Sequence, residues 1–172
     1  VNHRLDKETS GVLVIAKSEE AYRHFSILLE TRKVDKYYQA LVWGIHNFEE
    51  LLIEAPLKIS GSGKVSIDAK GKYSATIVKT IEKFQNQTLL ECKLLTGKKH
   101  QIRIHLASAK ASIVHDPLYG GAPLLLSDIK RKYKAKSETE ELPISRRVML
   151  HAKRLRFISI DGKTIEVTTP FP

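Results

Sequence analysis

An acid, a base, two hydroxyls and a glycine stand close together at His3-Arg4-Leu5-Asp6-Lys7-Glu8-Thr9-Ser10-Gly11. An apolar run at 12–16 follows directly. A polar loop feeding a buried strand exposes a reactive side chain while the strand fixes it, so Asp6 is a candidate catalytic carboxylate. The same residue types also make an ordinary turn, in which Asp and Ser side chains bond their own backbone. A second constellation lies at Leu95-Thr96-Gly97-Lys98-Lys99-His100-Gln101-Ile102-Arg103-Ile104-His105-Leu106. Thr96-Gly97 ends a strand and a helix begins near His100, and backbone N–H groups at such a junction attract phosphate or carboxylate. His100 and Arg103 share a helical face. Near Ile102 and Leu106, Arg103 is partly buried and needs an anion. Asp6 is one candidate, and an Arg beside it would keep it ionised and oriented. A structural ion pair or a surface Arg answers the spacing equally well. His100, His105 and His115 raise a metal site as an alternative, but His100 and His105 are off one-turn spacing and no His-Glu-x-x-His occurs.

Positioning these residues requires a frame, and the periodicity predicts one. Residues 12–16 read as a buried strand. Ser18 caps a helix over 19–32, with Glu19 and Glu20 at the end where the helix dipole favours anions, and Arg32 and Lys33 closing its last turn. Residues 36–43 and 51–54 read as strands. Residues 57–71, rich in glycine, read as hairpins or loops. Strands at 73–84 and 87–95 form a hairpin around Gln85-Asn86, and residues 98–110 switch to helical spacing. Residues 122–147 form a long excursion containing the basic run 130–136 and Glu138, Glu140 and Glu141. Residues 148–160 return to strand, and Asp161-Gly162 turns the chain into 163–168. Several strands with few helices and no dividing linker predict one α+β domain over 1–172, a mixed, mainly antiparallel sheet with flanking helices.

Composition narrows the class. The chain has 172 residues, enough for one domain with a real core, and a formal net charge of +10. That charge calls for an anionic partner: nucleic acid first, a membrane surface second, the latter weakened because no basic amphipathic helix stands out. No apolar run is long enough to span a bilayer, and no signal peptide is visible. Cys92 is the only cysteine, which excludes a disulfide framework and a cysteine metal site and agrees with a cytoplasmic protein. The chain starts with Val1 immediately before the key motif, so it reads as a piece whose upstream strands, packing against 12–16, are missing.

Taken together, the motifs resemble the RluA-type pseudouridine synthases. The resemblance is carried by His-Arg-Leu-Asp-x-x-Thr-Ser-Gly at 3–11, Lys36-x-Tyr38-x-Ala40-Leu41-Val42-x-Gly44, Leu95-Thr96-Gly97 with His100-Gln101-Ile102-Arg103, Asp116-Pro117-Leu118-Tyr119-Gly120, and Leu150-His151-Ala152, in the family's order. It implies isomerisation of uridine to pseudouridine in rRNA or tRNA: the C1′–N1 bond breaks, the uracil turns, and C5 joins C1′. It implies Asp6 as the catalytic carboxylate, Tyr38 as the residue stacking on the target base, and Arg103 as the partner of the aspartate. Arg4 would fill the helix where the base has left. His3, Thr9, Lys36, Lys98, Lys99, His100 and Gln101 would complete the RNA-binding set. No metal and no organic cofactor is implied. The sequence departs from the pattern at Lys98, where the family often has Arg; Lys still binds phosphate, as a point charge. Nothing in the motifs reports oligomeric state or the choice of uridine.

The residue types suit that chemistry. The target atoms are hidden in stacked RNA, so the nucleotide must flip out at a cost of about a few kcal/mol. Stacking on an aromatic such as Tyr38 recovers roughly 1–3 kcal/mol. Successive strand side chains point to opposite faces, so Tyr37 is expected to face away. Two rival functions are a non-catalytic RNA-binding module and an N-glycoside hydrolase; the latter normally wants two carboxylates, and Asp116 sits in a loop of structural character. For the basic run, backbone contact with RNA competes with pairing to the three glutamates. Neutralising Lys130, Arg131, Lys132, Lys134 and Lys136 together is expected to flatten the dependence of RNA affinity on salt. An unchanged slope would assign the run to a solvated loop.

Overall fold

The computed structural model describes residues 3–130, 133 and 141–170. In chain order the strands are β1 (Ser10–Gly11), β2 (Asp35–Trp43), β3 (Leu51–Glu54), β4 (Leu57–Ile59), β5 (Val65–Ile67), β6 (Ala75–Lys83), β7 (Gln87–Leu94), β8 (Leu150–Ile158) and β9 (Thr164–Thr168). The helices are α1 (Glu19–Glu30), α2 (Gln101–Ser108) and the single turn α3 (Leu126–Ile129), with a 3₁₀ turn at Pro117–Tyr119. Among the described residues, seven strands form one sheet in the order β1-β8-β2-β7-β6-β3, with β9 also on β8. All pairings are antiparallel except the short parallel one between β1 and β8. This is the expected mixed, mainly antiparallel α+β fold. No helix among the described residues is long and apolar enough to cross a membrane.

The alternation of β2 organises the core. Tyr38, Ala40 and Val42 are buried on one face, where they meet Val78 of β6, Leu90 and Cys92 of β7, and Leu150 of β8. Ile102 and Leu106 of α2 cover that face. A smaller cluster joins Phe25 and Leu28 of α1 to Val12, Val34 and Leu155. The β4–β5 hairpin packs Leu57 and Val65 on Ile104. The α1 cap is as expected, with Ser18 Oγ accepting from the Ala21 N–H.

Three of the departures from the periodicity have a clear physical reason. Residues 12–16 are not a buried strand: strand pairing stops at Gly11, Leu13 and Ile15 are exposed, Val12 is buried and Val14 only partly so. The cause is competition for one edge of β8. Ser10 and Gly11 pair with His151 and Ala152, and β9 takes the same edge from Arg154 onward. Helix α1 stops at Glu30, two residues early. Arg32 is left-handed (φ 58°), the Arg32 N–H bonds the Leu29 carbonyl, and the Lys33 N–H bonds the Leu28 carbonyl. That is a Schellman ending, so the two cations lie beyond the last turn and do not close it. The α2 helix starts at Gln101, three residues later than the spacing predicts, because His100 is itself left-handed (φ 54°). The hairpins around Gln85-Asn86 and Asp161-Gly162 form as expected. Of the basic run, only Lys130 and Tyr133 fall within the described residues.

Gly11 fixes how the loop bearing Asp6 enters the sheet. Its φ is 118°, and a Cβ there would lie 2.3 Å from the Ala152 carbonyl oxygen. Gly11→Ala is expected to destabilise the fold by about 2 kcal/mol or more, through backbone strain and forced separation of β1 from β8. Denaturant unfolding checks it: the midpoint should fall, and an unchanged midpoint would remove this contact as the anchor.

Candidate active site

The loop at 3–9 is held at both ends. His3 is buried, its ring edge-on to Phe25, with Nδ1 accepting the Val14 N–H at 3.3 Å. Burial, and then the neighbouring Lys36 charge, hold its imidazole below its usual pKa. The Thr9 N–H donates to the Asp6 carbonyl at 2.9 Å, closing the turn. Ser10 Oγ lies 2.8 Å from His151 Nδ1, and His151 Nε2 lies 2.6 Å from Thr169 Oγ1. The motif's hydroxyl and the β8 histidine therefore tie the loop to the sheet. Between these anchors the Asp6 side chain faces an open cleft.

Strand β2 supplies the next residue. Tyr38 is buried and lines the same cleft, and its hydroxyl is pushed up to about 12 by burial and then by the Asp6 charge. It therefore stays a neutral donor through the physiological range. The register against β8 shifts between Tyr37 and Tyr38. Tyr37 faces elsewhere, its ring 4.0 Å from the Arg154 guanidinium and 5.4 Å from Lys93 Nζ. The alternation expected of the pair is what the strand displays.

The loop before α2 is built from inside. Gln101 is buried, its Oε1 accepting from Thr96 Oγ1 at 2.7 Å and the Lys98 N–H at 3.0 Å. Its Nε2 donates to the Ala75 carbonyl and to Thr76 Oγ1, both at 2.9 Å. This side chain, expected at the RNA surface, braces the loop from inside and borders the cleft. Lys98 and Lys99 are exposed on that loop, and Lys99 Nζ donates to the Gly63 carbonyl of the β4–β5 hairpin at 2.9 Å. His105 is fully buried and spans α2 to β6, with Nδ1 2.9 Å from Thr76 Oγ1 and Nε2 3.1 Å from Ser74 Oγ. Among the described residues, no three His, Cys, Asp or Glu side chains gather as a metal site.

Arg103 meets its anion, but the direct partner is Asp116, not Asp6. Nε donates to Oδ2 at 2.7 Å and Nη2 to Oδ1 at 2.6 Å, a buried bidentate pair. Burial opposes the guanidinium's charge, yet the Asp116 bonds and the fields of Asp116 and Asp6 outweigh it and raise the pKa. The Tyr119 ring lies 5.2 Å from Arg103 Cζ, and the Tyr119 hydroxyl lies 2.9 Å from His100 Nδ1. His100 Nε2 in turn stands 3.9 Å from Asp6 Oδ1. Tyr119 was not singled out by spacing, although it lies in the Asp116–Gly120 motif. Its contact with a helix nineteen residues earlier has no local signature.

One cleft of about 780 Å³ is lined by Asp6, Tyr38, Arg103 and His100, together with His3, Arg4, Thr9, Lys36, Lys98, Lys99 and Gln101. Arg4, Arg32, Lys36, Lys93, Lys98, Lys99 and Arg103 face it against Asp6, Glu30 and Asp35. The wall is cationic around a single inner carboxylate. Burial holds the Lys36 ammonium below its usual pKa. A volume of this order accepts a mononucleotide, and the charge suits a polyanion.

Comparison with known proteins gives a consistent outcome. A family model described as RNA pseudouridylate synthase matches residues 1–108. Ribosomal large subunit pseudouridine synthase D of Xanthomonas campestris is 37% identical over 175 residues, covering 100% of this chain and 51% of that protein. Ribosomal large subunit pseudouridine synthase C of Vibrio cholerae is 34% identical over 170 residues, covering 98% and 50%. The chain thus spans about half the length of the curated relatives it matches. The solved structure of human RNA Pseudouridylate Synthase Domain Containing 1 superposes with a TM-score of 0.73 at 28% identity, covering 98% of this chain and 67% of that one. With the motifs, the sheet and the cleft agreeing, the chain belongs to the RNA pseudouridine synthase family.

Proposed function

We propose that this chain isomerises uridine to pseudouridine in structured RNA, with Asp6 as the catalytic carboxylate. The observation that carries the reading is the cleft in which Asp6 and buried Tyr38 face each other inside a cationic wall. The similarity to ribosomal large subunit pseudouridine synthases favours rRNA over tRNA as the substrate.

The residues divide the work by type. Arg4, exposed at the loop, enters the RNA helix as the target nucleotide leaves it. The flipped uracil stacks on Tyr38, which recovers roughly 1–3 kcal/mol of the cost of unstacking. Lys36, Lys98 and Lys99 hold the phosphates on either side, with Thr9 supplying a hydroxyl beside them. Asp6 then acts at the sugar, by attack on C1′ or by removal of a sugar proton, and the C1′–N1 bond breaks. The uracil turns within the cleft, C5 bonds to C1′, and the hydrogen on C5 leaves as a proton. Arg103, fixed by Asp116, contributes its positive field to Asp6 from the cleft wall. Rejoining the base through C5, instead of losing it to water, separates this reaction from glycoside hydrolysis.

Cellular RNA carrying tritium at uridine C5 tests the reading, because forming the new bond releases that hydrogen to water. The protein is expected to release tritium from an rRNA fraction, and Asp6→Ala is expected to abolish release while RNA binding persists. Free uracil as the product would replace this reading with the hydrolase. Binding without release from either rRNA or tRNA would replace it with a binding module.

Tyr38→Ala should slow the bound-state reaction by about 5–150-fold, the stacking contribution expressed as a rate, whereas Tyr38→Phe should keep most of it. Equal rates for Tyr38→Ala and the parent in single-turnover assays would remove Tyr38 from the base platform.

A further inference from the structure

Asp6 needs an orienting partner, and the geometry supplies one other than Arg103. Both guanidinium hydrogen bonds of Arg103 go to Asp116. Among the described residues, the basic side chain within ion-pair distance of the Asp6 carboxylate is His100, its Nε2 3.9 Å from Oδ1. His100 also adopts a left-handed backbone (φ 54°) that costs a non-glycine residue energy, and it occupies the cap position of α2 without its side chain capping that helix. Its Nδ1 is instead bound to the Tyr119 hydroxyl at 2.9 Å, with the rings edge-on. Tyr119 is held in turn: its N–H donates to the Asp116 carbonyl, its carbonyl accepts from Ser112 Oγ, and its ring sits by Arg103.

Resting on Asp6 as the catalytic carboxylate, we propose that His100 is a positioning residue that acts through Asp6. Its Nε2–H holds the carboxylate toward the cleft, and the Tyr119 hydroxyl, donating to Nδ1, keeps the imidazole in the tautomer that can do so. A neutral imidazole has one N–H. If Tyr119 donates to Nδ1, the proton sits on Nε2 and faces the carboxylate. The other tautomer would set a lone pair against a carboxylate oxygen. The charged and titratable groups around the ring are Asp6 on the loop, Lys99 and Arg103 beside it, and Asp116 and Tyr119 on the facing turn. Burial, with the opposing fields of Arg103 and Lys99, holds the imidazole below its usual pKa, so the donor is neutral at pH 7. A contact of 3.9 Å tightens to a hydrogen bond when a base fills the cleft, as catalytic contacts commonly do.

The test uses the full chain, single-turnover tritium release at saturating RNA, and RNA affinity measured alongside. His100→Asn suits the left-handed backbone but ends near the Nδ1 position, and its rate should fall by about 10–100-fold, the scale set by loss of a positioned group. His100→Gln extends an amide N–H toward the Nε2 position and should recover most of that rate. Tyr119→Phe keeps the ring beside Arg103 and should slow the reaction about tenfold, the lower end of the same scale. Affinity should stay within about twofold of the parent in all three, since the Lys and Arg contacts to phosphate are untouched. Histidine ¹⁵N spectra should show the Nε2–H tautomer for His100, and its pKa should fall further in Asp6→Asn, where the stabilising negative charge is gone. His100→Gln no faster than His100→Asn, an Nδ1–H tautomer, or weaker RNA binding with an unchanged single-turnover rate would each overturn the proposal. The last would make His100 an RNA contact. If the parent releases no tritium from any RNA, the functional reading fails, while the spectra still decide whether His100 holds Asp6.

Discussion

The buried pair between Arg103 and Asp116 is the interaction on which the site depends. A buried guanidinium in the wall of a binding cleft is costly to desolvate, and a bidentate carboxylate is the partner that makes such burial tolerable. The pair joins α2 to the turn at Pro117–Tyr119. It brings Tyr119 beside the guanidinium, and Tyr119 reaches His100, which faces Asp6. Removing one member leaves an unpaired buried charge, a loss of about 3–5 kcal/mol in comparable cases. The cleft wall would lose its geometry with that loss.

The sheet sets the other half of the geometry. β8 receives β2 on one edge and divides its second edge between β1 and β9. Two residues of β1 are enough, because Gly11 lets the backbone approach Ala152 closely and the Ser10–His151–Thr169 contacts add a side-chain tie. The loop carrying Asp6 is thereby anchored just before it joins the sheet, and β2 delivers Tyr38 to the same cleft. Rigid elements holding short loops are a general way to keep reactive groups in place without a long, ordered active-site segment.

Charge then selects what enters. The net charge of +10 is spread over the chain, but the cleft concentrates basic side chains around one inner carboxylate. Such a wall attracts polyanions and leaves Asp6 as the inner carboxylate. Gln101 contributes from inside, by shaping the loop that presents Lys98 and Lys99.

Much was determined by the sequence alone. The alternation around Tyr38 decides which of two adjacent tyrosines faces the core, because a strand has a period of two. Ser18 starts α1 and Asp161-Gly162 turns the final hairpin, since capping and tight turns depend on a few neighbouring residues. The order of the motifs identified the family. Tertiary structure alone decided the rest. Residues 12–16 have the composition of a strand, but β9 occupies the edge they would need. Arg103 had two anions within its possible reach, and only the folded turn at 116–119 shows that Asp116 is the direct partner. The approach of His100 to Asp6 joins residues far apart in the sequence, through a left-handed backbone that no spacing rule records. Local chemistry is written in local sequence; which distant partner wins depends on competition for space, edges and charge in the packed chain.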